Sequence, residues 1–123
     1  MEDKNLEFRF SFQTMKYNET ISFYTDVLEL PVVKTWNRGF NDSGHQFKAA
    51  SGMIIVLQSA TKQVEPLTNA VILIQVEDLD ALYSRLKERG APVVQEIVKR
   101  EWGHRDFKIS DPNGLIIGFY SEK

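Results

Sequence analysis

No cysteine occurs in the 123 residues, and that absence excludes disulfides, thiolate metal sites and cysteine nucleophiles together. Long apolar runs are missing as well, so no segment reads as a membrane span and no membrane partner is expected. The opening residues Met1-Glu2-Asp3-Lys4-Asn5 are polar and acidic, the reverse of a secretory signal, which makes the cytoplasm the expected location. Charge of a single sign is also lacking. Fifteen basic residues stand against seventeen acidic ones, for a net charge of -2, and no stretch concentrates either sign. A nucleic-acid partner needs a basic stripe to displace counterions, so none is expected.

What is present has ordinary globular proportions, 42% hydrophobic and 26% charged, and a length suited to one domain with one core. Leu6 to Thr14 alternates, with Phe8, Phe10 and Phe12 on one side and Arg9, Ser11 and Gln13 on the other, as a half-buried strand requires. Asn18 is placed to cap a helix carrying Ile21, Tyr24, Val27 and Leu28, which Pro31 stops. Val32 to Trp36 reads as a strand, followed by a loop of turn formers from Asn37 to Gly44. His45 to Ala50 and Met53 to Ser59 form a hairpin turning at Ser51-Gly52. After a linker at residues 61–69 the pattern restarts. Val71 to Val76 is strand-like, Asp78 caps a helix carrying Leu79, Leu82, Tyr83 and Leu86, and Gly90 closes it. Pro92-Val93-Val94 opens a strand, and Phe107 to Ser110, Asp111-Pro112-Asn113-Gly114 and Leu115 to Tyr120 make a last hairpin.

The order βαβββ therefore occurs twice, in residues 6–60 and 70–122, within a single domain. The residues repeat along with the pattern. Gln13 answers to Gln75, Pro31-Val32-Val33 to Pro92-Val93-Val94, and Gly52-Met53-Ile54-Ile55 to Gly114-Leu115-Ile116-Ile117. Gly44-His45 with Phe47-Lys48 answers to Gly103-His104 with Phe107-Lys108, allowing one inserted residue. The near-constant spacing implies a pseudo-twofold pair, each copy burying one sheet face under its helix.

Three strings carry a resemblance on top of this repeat. Ser22-Phe23-Tyr24-Thr25-Asp26-Val27-Leu28-Glu29-Leu30-Pro31 is similar to an FYxxxLGL helix end. Trp102-Gly103-His104-Arg105 with Asp111-Pro112-Asn113-Gly114 is similar to a WGxR…DPDG signature, and Val76-Glu77-Asp78-Leu79-Asp80-Ala81-Leu82 to the start of a second-copy helix. In this order they resemble the vicinal oxygen chelate superfamily, which holds glyoxalases, bleomycin resistance proteins and dioxygenases. The resemblance implies an α+β fold in which two tandem βαβββ units form a curved mixed sheet around a cavity. Members of the family assemble the cavity from two copies supplied by one chain or by two, the linker around Pro66 does not decide between these, and a homodimer is the expected assembly. Metal-binding members place their ligands on the cavity side of the first and last strands of each copy, and the matching positions here are Arg9, Val56, Val71 and Gly118. A guanidinium, two valines and a hydrogen atom are not ligands for a divalent ion, and a guanidinium repels one. No metal, cofactor or catalytic residue is therefore assigned.

The expected function is a metal-independent small-molecule binding protein in a resistance or sequestration role, its ligand aromatic or anionic. Bleomycin itself is cationic and suits an inward-facing Arg9 poorly. Arg9 needs either a carboxylate neighbour or an anionic ligand. The expected ligand-binding residues are Arg9, Ser11, Gln13, Trp36, Val56, Val71, Gln75, Trp102, Gly118 and Tyr120, with Ile54, Gln58, Leu73 and Ile116 completing the lining. The alternative is a lyase, isomerase or dioxygenase-like enzyme whose metal site has been rebuilt around His45, His104 or Gln75.

Overall fold

In a computed structural model, which describes residues 6–39, 42–59 and 65–123, the expected double βαβββ order is present. The chain divides into two compact units between Glu65 and Pro66. Part of the expected linker, residues 61–64, and the Phe40-Asn41 portion of the turn-rich loop lie outside the described residues. Among the described residues no helix is long and apolar enough to cross a membrane.

The first unit runs β1 (Arg9–Thr14), α1 (Tyr17–Ser22), β2 (Val32–Asn37), β3 (Ser43–Ala49) and β4 (Gly52–Gln58). These strands form a four-stranded sheet in the order β1-β4-β3-β2, with β1 parallel to β4 and the other pairs antiparallel. The helix begins one residue before Asn18, and Lys16, not Asn18, sits at its cap position. Thr14 Oγ1 meets the Lys16 amide there at 2.8 Å. Past Ser22 the helix widens into a π-helical turn, Phe23–Val27, in which the Leu28 amide reaches the Phe23 carbonyl at 3.1 Å. The widened turn carries Tyr24 onto the sheet, where its ring stacks on Phe47 with centroids 5.6 Å apart.

Alternation along each strand then decides what is buried. Phe12, Phe47, Ile54 and Val56 face α1 and form the core of this unit. Phe8 departs from the expected buried trio. It precedes β1 and is 63% exposed, because only residues inside the ladder inherit its buried side.

The second unit runs β5 (Val71–Gln75), α2 (Leu79–Glu88), β6 (Val93–Lys99), β7 (Arg105–Ser110) and β8 (Ile116–Ser121), in the sheet order β5-β8-β7-β6. Asp78 caps α2 as expected, its Oδ1 accepting from the Ala81 amide at 3.1 Å. Leu79 and Leu86 are fully buried on one face of α2 two turns apart, and they pack over Phe107, Ile109, Ile117 and Phe119. The turn before β8 is held by Asp111, whose Oδ1 accepts from the amides of Asn113 at 2.7 Å and Leu115 at 2.9 Å.

Matching braces join helix to sheet in the two units. Tyr17 of α1 pairs with His45 of β3, Oη to Nδ1 at 2.7 Å. Arg105 of β7 grips Asp80 of α2 through two bonds at 3.1 and 2.8 Å. Both link the first turn of the helix to the start of the third strand of the unit.

Candidate functional site

The side of the second sheet turned away from α2 carries Val71, Leu73 and Gln75 on β5, Asp106 and Lys108 on β7, and Gly118 and Tyr120 on β8, by pairing register and alternation. Val71 and Leu73 are 50% and 59% exposed, a surface that water solvates poorly. Beyond β6 the hairpin closes tightly, with the Arg100 amide donating to the His104 carbonyl at 2.7 Å and the Gly103 amide to Arg100 at 3.0 Å. This turn lifts Trp102 to its tip, 69% exposed. The His104 ring lies nearly parallel to Tyr120, with centroids 5.4 Å apart. Val71, Leu73, Trp102, His104 and Tyr120, with Arg100, Asp106 and Lys108, bound a concave space of about 660 Å³. That size and make-up, mostly apolar and aromatic with a few placed polar groups, suit a drug-sized ligand.

Gly118 has a different role from the one expected. A Cβ there would stand 2.7 Å from Leu73 Cδ2 and 3.4 Å from Lys108 Cγ. The missing side chain makes room for the protein's own Leu73 and Lys108, which cross over it.

Three polar residues in the wall, Arg100, Asp106 and Lys108, form one network with Gln95 behind them. Arg100 holds Asp106 by Nε to Oδ2 at 2.7 Å and Nη2 to Oδ1 at 3.0 Å. Gln95 donates from Nε2 to Asp106 Oδ1 at 2.7 Å, and its Oε1 accepts from Lys108 Nζ at 2.8 Å and Arg100 Nη2 at 3.2 Å. The Arg100 hydrogen bonds outweigh the cost of burial and hold the Asp106 carboxyl down at about 2. None of Gln95, Arg100, His104, Asp106 or Lys108 stood among the expected ligand-binding residues. The signal for three of them was available, since His104, Asp106 and Lys108 alternate in phase with one another.

In the first unit the expected residues are dispersed. Arg9, Ser11 and Gln13 do lie on the side of β1 away from α1. Arg9 Nε, however, bonds Glu7 Oε1 at 3.2 Å, and Lys48 approaches the same carboxylate at 3.6 Å. Of the two partners open to Arg9, the protein supplies the carboxylate. Val56 faces the other way, fully buried toward α1. Register gives the reason: Ser11 pairs with Ile55 and Phe12 with Val56, whereas Leu73 pairs with Gly118. The structural counterpart of Gly118 is thus Ile55, one residue from the position expected, and a one-residue slip reverses the face. Ile54 and Gln58 share the phase of Val56. The Trp36 ring covers the place a Gly44 side chain would take and borders a smaller space of about 320 Å³ with Tyr17, Thr35, Asn37, Ser43 and His45.

The inserted residue in the second repeat has the same effect on the histidines. His45 shares the helix side of its sheet with Phe47, stacked at 5.8 Å, and burial lowers its pKa. His104 shares the open side of its own sheet with Asp106. The donor set at Arg9, Ile55, Val71 and Gly118 does not fit a divalent ion. Among the described residues no group of three or more histidines and carboxylates is gathered that could hold one.

A family model for the Glyoxalase/Bleomycin resistance protein/Dioxygenase superfamily matches residues 9–119. The chain belongs to this superfamily. Similar solved structures include TnmS3, an antibiotic binding protein from Streptomyces sp. CB03234, 24% identical with a TM-score of 0.73 over 92% of each chain. A glyoxalase/bleomycin resistance protein from the same Streptomyces strain is 24% identical with a TM-score of 0.72, covering 92% of this chain and 97% of that one. TioX from Micromonospora sp. ML1 is 15% identical with a TM-score of 0.78, covering 95% of this chain and 98% of that one. Comparison with curated proteins finds no match. At these identities the likeness is one of fold, and the superfamily hosts many activities on it.

Proposed function

We propose that this chain is a metal-independent small-molecule binding protein of the glyoxalase/bleomycin-resistance type, acting by sequestering a compound in the cytoplasm. The observation that carries this reading is the open face of the second sheet, where exposed Val71, Leu73 and Trp102 and the stacked His104–Tyr120 pair surround a space of drug size. Large rigid aromatics beside apolar side chains bind planar compounds at low entropic cost. The similarity of fold to TnmS3, an antibiotic binding protein, supports an antibiotic-like ligand.

The test is thermal stabilisation by planar aromatic antibiotics, with and without divalent ions. A ligand at a hundred times its Kd adds about 2.7 kcal/mol. The expected result is stabilisation that is indifferent to the ions and lost in Trp102→Ala. Stoichiometric zinc, nickel or iron in protein purified without chelator, with stabilisation dependent on it, would overturn the reading. A homodimer is part of the proposal, supported by the exposed Leu6 and Phe8, which a second copy could cover. Sedimentation velocity tests it, and a single 14.2 kDa species at micromolar concentration counts against it.

A further inference from the structure

The binding face of the second unit carries charge that its apolar floor does not need. Arg100 and Lys108 both border it, and among the described residues Asp106 is the one carboxylate that pairs with either, at 2.7 and 3.7 Å. Asp106 stays ionised throughout the neutral range, so the three groups leave one positive charge uncompensated. The arrangement is fixed as well as charged. Arg100 is bidentate on Asp106, which aligns its guanidinium plane. Its hydrogen bonds to Asp106 and Gln95 run through Nε and Nη2, and among the described residues none is made by Nη1. Lys108 is steered by two contacts, its stem crossing Gly118 and its ammonium donating to Gln95.

Gln95 is the unusual member. Its amide oxygen accepts from both cations, aligning them without neutralising them, as a carboxylate in that place would. Beside the charge stand Trp102 and the His104–Tyr120 stack, the aromatic surfaces for a planar ring.

We propose that this site selects planar aromatic ligands bearing an anionic group such as a carboxylate or sulfonate. Lys108 and Arg100 hold the anion, Trp102 holds the ring, and Gln95 is the positioning residue that keeps the site positive. This rests on the small-molecule reading above and narrows it to a ligand class. The whole chain has a net charge of -2, so a preference for anions cannot come from its average field and has to be local.

The experiment compares two fluorescent probes of one skeleton, 8-anilinonaphthalene-1-sulfonate and its sulfonate-free analogue N-phenyl-1-naphthylamine. Each is titrated into the wild-type chain and the Lys108→Gln, Gln95→Glu and Trp102→Ala variants, with circular dichroism confirming that each is folded. The sulfonate is expected to bind the wild type about tenfold more tightly than the neutral probe, with the advantage shrinking as salt is raised. In Lys108→Gln and Gln95→Glu the ratio of the two affinities is expected to fall to near one. Should either variant fail to fold, the other decides. Trp102→Ala is expected to weaken both probes. Equal wild-type affinities, or a ratio unmoved by both charge variants, would overturn the anion selectivity and leave aromatic binding standing. Absence of binding by either probe, or binding indifferent to Trp102→Ala, would overturn the pocket itself.

Discussion

Arg100 and Asp106 meet through two hydrogen bonds of 2.7 and 3.0 Å across the mouth of the β6–β7 hairpin, with the Asp106 side chain only 11% exposed. The carboxylate is covered while the guanidinium keeps 29% of its side chain exposed, so removing Arg100 would leave a largely buried charge without its partner.

The pair links stability to pH. Arg100 and Gln95 lower the Asp106 carboxyl from 3.8 to about 2, so the unfolded chain binds this proton more readily than the folded one. The stabilisation, about 2 kcal/mol from the size of the shift, is fully present above pH 4 and is lost as the pH falls toward 2. Urea unfolding of the wild type and Asp106→Asn should differ by about that amount at pH 7, and the difference should shrink below pH 4. A difference that stays constant down to pH 2 would refute the linkage.

Two glycines that look alike in sequence should respond differently to alanine. At Gly44 the new Cβ meets the six-membered ring of Trp36, a rigid group, and the strain should cost about 1–3 kcal/mol and shift the tryptophan emission. At Gly118 the nearest atom is the tip of Leu73, 2.7 Å away, and that side chain is exposed and can rotate aside. Gly118→Ala should therefore cost less than about 1 kcal/mol while weakening probe binding, since Leu73 and Lys108 both move. Denaturation showing the larger loss at Gly118 would contradict this ranking.

Val56 and Arg9 form another informative contrast. Val56→Ala removes two methyl groups from a fully buried site and should destabilise by about 2 kcal/mol without altering ligand affinity. Arg9 is 55% exposed on the side chain and paired with Glu7, so Arg9→Ala should change stability by no more than about 0.5 kcal/mol. Combined melts and probe titrations check both, and a loss of affinity in Val56→Ala would return that residue to the ligand-binding surface.

Most of the fold was legible because its determinants are short-range. The alternation of Phe10 and Phe12, the Asp78 cap and the Asp111-Pro112-Asn113-Gly114 turn each act within a few residues, and the repeat states the same solution twice. The helix start at Tyr17 was not legible, because a Thr14 side chain contact from the preceding strand overrides the good capping residue Asn18.

The candidate site was legible only in part, as Val71, Leu73, Trp102 and Tyr120. What those residues face depends on strand register, and register is a long-range property in which one residue exchanges core for open surface. That slip moved Val56 into the core, and the inserted residue between His104 and Phe107 turned His104 toward the open face while His45 points under its helix. The charged network joins β6 to β7 through side chains of Gln95, Arg100, Asp106 and Lys108, whose meeting no local pattern encodes. Sequence alone thus determined the double βαβββ architecture and the unsuitability of Arg9, Val71 and Gly118 as metal ligands, since element type and donor chemistry belong to the residues themselves. Only the tertiary structure decided which side chains share a pocket and what charge it carries, because pairing across strands sets both.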